Sequence, residues 1–194
     1  MDSFIRITIK LCNALHTSRQ LRPVIRSLSV NAAKTAVQAF VSTRLDYCNS
    51  LMYGIADALM QRLQAVQNAA TRLITGARRR DHISPALRQL HWLPVRQRVQ
   101  FKLAVFKALH GLAPQCLTDD CQLVSAVGRR QLRSSDAVTC VVPRTRTCLG
   151  DRAFGVAGPR LWNTLPISLR QSDLSLGQFR RAVKTHLFDC VCRA

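Results

Sequence analysis

Leu59-Met-Gln-Arg-Leu-Gln-Ala-Val-Gln-Asn-Ala-Ala-Thr-Arg-Leu-Ile-Thr-Gly76 is the stretch that decides the fold class. Leu59, Leu63, Val66, Ala70, Leu73 and Ile74 recur at spacings of three and four. They form one apolar stripe of an amphipathic helix, and Gly76 supplies the left-handed residue that ends it. No Pro interrupts the run.

Working outward, the same period recurs on both sides. Between Asn31 and Tyr53, Ala33, Val37, Phe40, Val41, Leu45 and Leu51 predict a helix ending at Gly54. After Gly76, Ser84 with Pro85 reads as an N-cap followed by proline at the first helical position, opening a short helix to about Leu90. Pro94 opens another, with Val95, Val99, Leu103, Phe106 and Leu109 facing inward and Gly111 closing it.

The character changes after Pro114. Residues 115–136 hold no convincing period, and Ala137 to Val142 reads as a short strand ended by Pro143. Gly150, Gly155, Gly158 and Pro159 mark a turn-rich stretch, followed by one or two helical turns in Leu161–Leu169. A last helix runs from Ser175 to about Phe188, with Gln178 at the capping-box position. The expected fold is mainly α, with a small irregular or β patch towards the C-terminus. Residues 1–114 form the helical part and residues 115–194 a mixed region packed on it, as one structural unit.

Charge narrows the partner. Of 194 residues, 29 are Lys or Arg and 10 are acidic, for a formal charge of +19. Every acid is Asp, and 24 of the cations are Arg, whose planar fork binds phosphate bidentately. Residues 72–107 are the densest basic stretch, with nine cations against one acid. The excess argues for a polyanionic partner rather than an acidic-surface enzyme. At 47% hydrophobic the chain can still bury a core. Arg78, Arg79 and Arg80 form a run; Arg96, Arg98 and Lys102 lie on the helix after Pro94, with Arg98 and Lys102 four apart and so on one face. Arg144 and Arg146 alternate in an extended context. These eight are the expected phosphate contacts. A solvated face, or cations complementing a helix dipole, is the plainer alternative for Arg78 alone.

Candidate catalytic sites are weak. Asp119-Asp120 resembles a metal-holding aspartate pair, but it follows Ala113-Pro114 at a helix exit, with no third acid in a matching strand. His186-Xaa3-Cys190-Xaa-Cys192 and His110-Xaa5-Cys116-Xaa4-Cys121 miss the pair-plus-pair spacing of zinc sites. There is no nucleophile elbow and no phosphate-cradling glycine loop. His82 and His91 read as packing or capping residues, and Trp92 and Trp162 as core anchors. No metal, no cofactor and no enzymatic activity is expected of this chain. Arg6 and Lys10 break the apolar start, and no stretch approaches the roughly 18 apolar residues needed to span a bilayer. The eight cysteines read as reduced thiols of an intracellular protein, nuclear or cytoplasmic, that binds no membrane.

Several strings, in order, resemble the region beyond the polymerase core of LINE-type (non-LTR) retrotransposon reverse transcriptases. They are Arg44-Leu-Asp-Tyr-Cys-Asn-Ser-Leu51, Arg62-Leu-Gln-Ala-Val-Gln-Asn-Ala-Ala-Thr-Arg-Leu73, Asp81-His-Ile-Ser-Pro85 and His91-Trp-Leu-Pro-Val95. Ala108-Leu-His-Gly-Leu-Ala-Pro114, Val142-Pro-Arg-Thr-Arg146, Gly150-Asp-Arg-Ala-Phe154, Pro159-Arg-Leu-Trp-Asn-Thr-Leu-Pro166 and Phe179 to Phe188 continue the match. Cys121, Cys148, Cys190, Cys192 and Gly177 depart from the family pattern. The resemblance implies a helical thumb-like bundle and a C-terminal region, without the palm and its aspartate box. It implies a reverse transcriptase fragment lacking the polymerase active site. Such a fragment would bind RNA or an RNA–DNA primer-template by electrostatics, with a palm supplied elsewhere. The alternative is an interaction-only or non-functional remnant with no nucleic-acid role.

Overall fold

The computed structural model describes residues 13, 16–47, 49–102, 105–126, 138–171 and 173–192. They are mainly helical, as the periodicity predicts, and their β structure is one isolated antiparallel bridge, Leu123 to Cys140. The chain divides into two compact units, Met1–Arg98 and Val99–Ala194. The sequence changes character later, after Pro114, because residues 105–109 still read as helix. Val105, Phe106 and Ala108 nevertheless bury with Cys121, Cys140 and Trp162, downstream residues that draw them into the second unit.

The first unit holds α1 (residues 16–25), α2 (Val30–Val37), a π-helical turn (Gln38–Ser42), α3 (Thr43–Asp46), a 3-10 turn (Asn49–Met52), α4 (Asp57–Thr75) and α5 (Ile83–Gln89). The single helix expected between Asn31 and Tyr53 is thus broken into pieces. Ser29 caps α2 by accepting from the Ala32 N–H at 3.3 Å. The widened π turn then buries Val41 and Ser42 together while leaving Phe40 exposed.

Helix α4 packs against α2, the π turn and α5. It buries Met60, Leu63, Val66, Ala70 and Ile74, and it ends at Gly76 with φ +68°. Burying Leu63 and Val66 is worth about 1.5–3 kcal/mol each. Two polar residues, Gln67 and Thr71, share this face and are fully buried, whereas Leu59 and Leu73 are only half-buried. Their polar atoms are satisfied: Thr71 Oγ1 donates to the Gln67 carbonyl at 2.9 Å, and Gln67 Nε2 to the Leu93 carbonyl at 2.8 Å. Gln64 completes the set. Its Nε2 donates to Gln67 Oε1 at 3.1 Å, and its Oε1 accepts from the Val95 N–H at 2.8 Å. Two side chains of α4 therefore hold the backbone on both sides of Pro94.

Helix α5 starts at Ile83, one residue before the expected Ser84 cap, and Pro85 occupies its third position. The first four N–H groups of a helix have no partner within it, so proline fits there without loss. The C-terminal end is a Schellman turn. The Trp92 N–H donates to the Leu87 carbonyl at 2.8 Å and the His91 N–H to the Arg88 carbonyl at 2.9 Å. His91 takes the left-handed position, φ +54°, that glycine usually fills.

Helix α6 (Val95–Lys102) begins in the first unit and ends in the second, where α7 (Val105–Leu109), α8 (Gln115–Asp119), a 3-10 turn (Gly150–Arg152), α9 (Phe154–Thr164), a second 3-10 turn (Ile167–Leu169) and α10 (Leu176–Cys192) follow. The helix expected from Pro94 to Gly111 is described as α6 and α7; Leu103 lies outside the described residues. Gly111, φ +67°, closes α7 in a second Schellman turn, with the Leu112 N–H on the Lys107 carbonyl at 2.8 Å. Of the expected strand, Ala137 lies outside the described residues. Val141 donates to the Gln122 carbonyl and Val124 to the Thr139 carbonyl, forming a minimal antiparallel pair.

The turn-rich reading of residues 150–159 needs correcting, because Gly155, Gly158 and Pro159 all lie inside α9. Packing overrides local propensity here. A Cβ on Gly158 would stand 2.9 Å from Val105 Cγ2, so the missing side chain lets α9 approach α7. Trp162 is 2% exposed, donates from Nε1 to the Val138 carbonyl at 2.8 Å and lies 5.9 Å from Phe179, which stacks on Phe106 at 4.2 Å. The capping box of α10 is present as predicted. Ser175 Oγ accepts from the Gln178 N–H at 3.3 Å, and Gln178 Oε1 from the Ser175 N–H at 3.0 Å.

Candidate nucleic-acid interface

The arginine run sits on a reverse turn built by its neighbours. Gly76 ends α4, and the chain then folds back so that the Asp81 N–H donates to the Arg78 carbonyl at 3.1 Å. Arg72, from the last turn of α4, donates Nε to the same carbonyl at 3.3 Å. Asp81 Oδ2 in turn accepts from the Arg78 N–H at 2.7 Å. Asp81 is the one acid of residues 72–107, and it serves the backbone of the turn. Arg78, Arg79 and Arg80 are exposed, and no carboxylate among the described residues pairs with them.

The α6 cations divide. Arg96 pairs with Asp57 at the start of α4, both side chains more than half exposed. Such a surface pair is worth about 0–1 kcal/mol, so a phosphate can displace the carboxylate. Arg98 is turned inward, its side chain 13% exposed. It donates to Asp46 Oδ1 at 3.0 Å and lies 5.9 Å from the centre of the Trp92 ring. Asn49 Nδ2 donates to the same oxygen at 3.0 Å. Burial pulls the Arg98 guanidinium below its usual value, opposed by the adjacent Asp46 carboxylate. Its role in this geometry is to hold α6 to α3. The side chain of Lys102 lies outside the described residues.

In the second unit Arg144 and Arg146 are exposed, while Thr145 between them is half-buried. Thr145 Oγ1 donates to Asp151 Oδ1 at 2.6 Å, and Arg160 Nη2 of α9 donates to the same oxygen at 3.0 Å. These two bonds, Thr145 first, hold the Asp151 carboxyl below the usual carboxylate range. A Cβ on Gly150 would meet Thr145 Cβ at 3.1 Å, so glycine permits the close approach. Upstream, Asn163 clamps the Cys140 backbone, accepting from its N–H and donating to its carbonyl at 2.9 Å each. The extended segment is thus fastened at Cys140 and Thr145, with Arg144 and Arg146 outside.

Among the described residues the other candidates lie as follows. Asp119 and Asp120 are exposed at the end of α8, and Asp120 packs where Gly155 leaves room. Cys121 and Cys140 are buried free thiols. Burial, then the Asp120 charge, pushes Cys121 up to about 11. Burial, then Cys121, pushes Cys140 up to about 12 against a lowering pull from Arg170, so both are poor nucleophiles. His186 Nε2 lies 3.7 Å from Cys190 Sγ. Among the described residues no three His, Cys or Asp side chains gather as a metal site requires. His82 precedes α5 without a side-chain capping bond, and Trp92 and Trp162 are buried. No described helix is long and apolar enough to cross a membrane.

Sequence reasoning missed Asp46 and Asp57 as arginine partners, 52 and 39 residues away, since no local spacing joins them. It also passed over Arg180, Arg181 and Lys184, whose helical spacing was visible. Compared with family models, with curated proteins and with solved structures, the chain has no match in any of the three.

Proposed function

We propose that this chain is a post-palm region of a LINE-type reverse transcriptase that holds RNA, or an RNA–DNA primer-template, by its phosphate backbone and performs no polymerase chemistry itself. One observation carries the binding: the turn Arg78–Asp81 is built so that its acid satisfies backbone, leaving three adjacent guanidinium groups that no described carboxylate neutralises. Within the second unit Arg144 and Arg146 offer phosphate contacts of their own, and in the first unit Arg96 joins by exchanging Asp57 for phosphate. Arg98 supports α6 without touching the ligand.

Backbone binding of this kind reads charge rather than sequence, and its affinity falls with salt as contacts release counterions. The test is the triple variant R78Q/R79Q/R80Q of the full chain, titrated against a labelled RNA–DNA hybrid between 50 and 200 mM salt. The slope of log K against log salt should lessen by about 2.7, at roughly 0.9 per contact. Exposed, unpaired positions predict a stability change within about 0.5 kcal/mol. An unchanged slope removes the turn from the interface.

A further inference from the structure

The longest helix of the second unit, α10, carries a second basic surface. Gly177, Arg180, Arg181 and Lys184 stand at positions i, i+3, i+4 and i+7, which share one face of an α-helix. The buried face is separate. Val183 and Leu187 are buried, Phe179 stacks on Phe106 and lies against Trp162, and Leu176 packs on the same cluster. That anchoring fixes the helix about its own axis. Gly177, Arg180 and Arg181 are consequently exposed, with Lys184 half-buried, its apolar stem able to lie along the protein while its amine reaches water.

Nothing among the described residues neutralises this face. Its cations form no ion pair with a described carboxylate. The helix's single acid, Asp189, is five positions beyond Lys184 and outside the i+3 and i+4 neighbourhood. Arg180 and Lys184 are about 6 Å apart along the axis, a separation suited to successive phosphates of one strand. At Gly177 the space where a side chain would stand is open, so a strand tracking the cations meets no obstruction at the head of the helix.

We infer that the Gly177–Lys184 face of α10 is a second nucleic-acid backbone contact, made through Arg180, Arg181 and Lys184. The inference rests on the proposed binding function and adds to it a surface separate in sequence from the arginine turn. Because the contacts are to phosphate, the face accepts RNA and DNA strands alike.

The deciding experiment compares R180Q/R181Q/K184Q with R78Q/R79Q/R80Q in the full chain. Each is titrated against an RNA–DNA hybrid and a DNA duplex of the same sequence, from 50 to 200 mM salt. Glutamine is a good helix former, and far-ultraviolet circular dichroism confirms that α10 persists. The α10 variant should lessen the salt slope by about 2.7 on both duplexes. G177E, which puts a carboxylate in the open space, should weaken binding further without unfolding. A slope that changes only in the arginine-turn variant overturns the α10 surface and leaves the proposed function standing. A slope that changes in neither variant, or no binding by the unaltered chain, overturns both. Loss of binding on the hybrid alone also overturns the inference, because it requires recognition of more than phosphate.

Discussion

Arg98 on α6 and the Arg144/Arg146 pair in the second unit look alike in sequence: cations at regular spacing near apolar residues. Their surroundings oppose each other. Arg98 meets Asp46 at 3.0 Å and faces Trp92, so its charge belongs to the fold. At Arg144 and Arg146 the carboxylate of Asp151 is occupied by Thr145 and Arg160, so the segment is fastened while its arginines remain outside. A cation is available to a ligand when the nearby acids are already bonded to something else. Net charge says by how many the cations exceed the acids; the bonding of the few carboxylates says which cations are available.

This contrast can be broken most forcefully at Asp46. D46A leaves a mostly buried guanidinium unpaired and should cost about 2–3 kcal/mol in urea unfolding, less than for a fully buried pair because Asp46 is partly exposed. The salt slope for a nucleic-acid duplex should not change. Adding R98M should recover most of the loss, since an apolar side chain of similar length removes the orphaned charge. On the other side, R144Q/R146Q should alter stability by less than about 0.5 kcal/mol and lessen the salt slope by about 1.8. If instead R144Q/R146Q destabilises and D46A weakens binding, the assignment of the two regions is reversed.

The smallest effect concerns pH. The folded Asp151 carboxyl sits below its ordinary value, so its contribution is present above the unfolded value near pH 4 and is lost as pH falls through the folded one. Amide protection around residues 145–153 should decline in that acid range, and D151N should remove the decline. A decline that persists in D151N places its origin elsewhere.

Much of the helical architecture was legible. The stripe of α4, the stop at Gly76 and the Ser175–Gln178 capping box are local patterns, and local patterns survive folding unchanged. Helix α9 was not legible, because glycine and proline signal turns unless a neighbour requires their small size or shape, and Val105 is 53 residues from Gly158. The exposure of the arginine turn was legible, and the inward turn of Arg98 was not. The run of three cations is contiguous, but the acid that claims Arg98 comes from another helix. The face of α10 was readable from spacing alone and was masked by its lower density of charge.

Gln64 and Gln67 have a consequence for how the first unit opens. The Val95 N–H donates to Gln64 Oε1, and Gln67 Nε2 donates to the Leu93 carbonyl, so this backbone is held from α4, 31 and 26 residues away in sequence. Val95 opens α6, so its N–H has no partner within that helix, and its protection from exchange rests on the bond to Gln64 of α4. Its exchange rate is therefore a clock for separation of the 91–95 segment from α4, readable at a single amide.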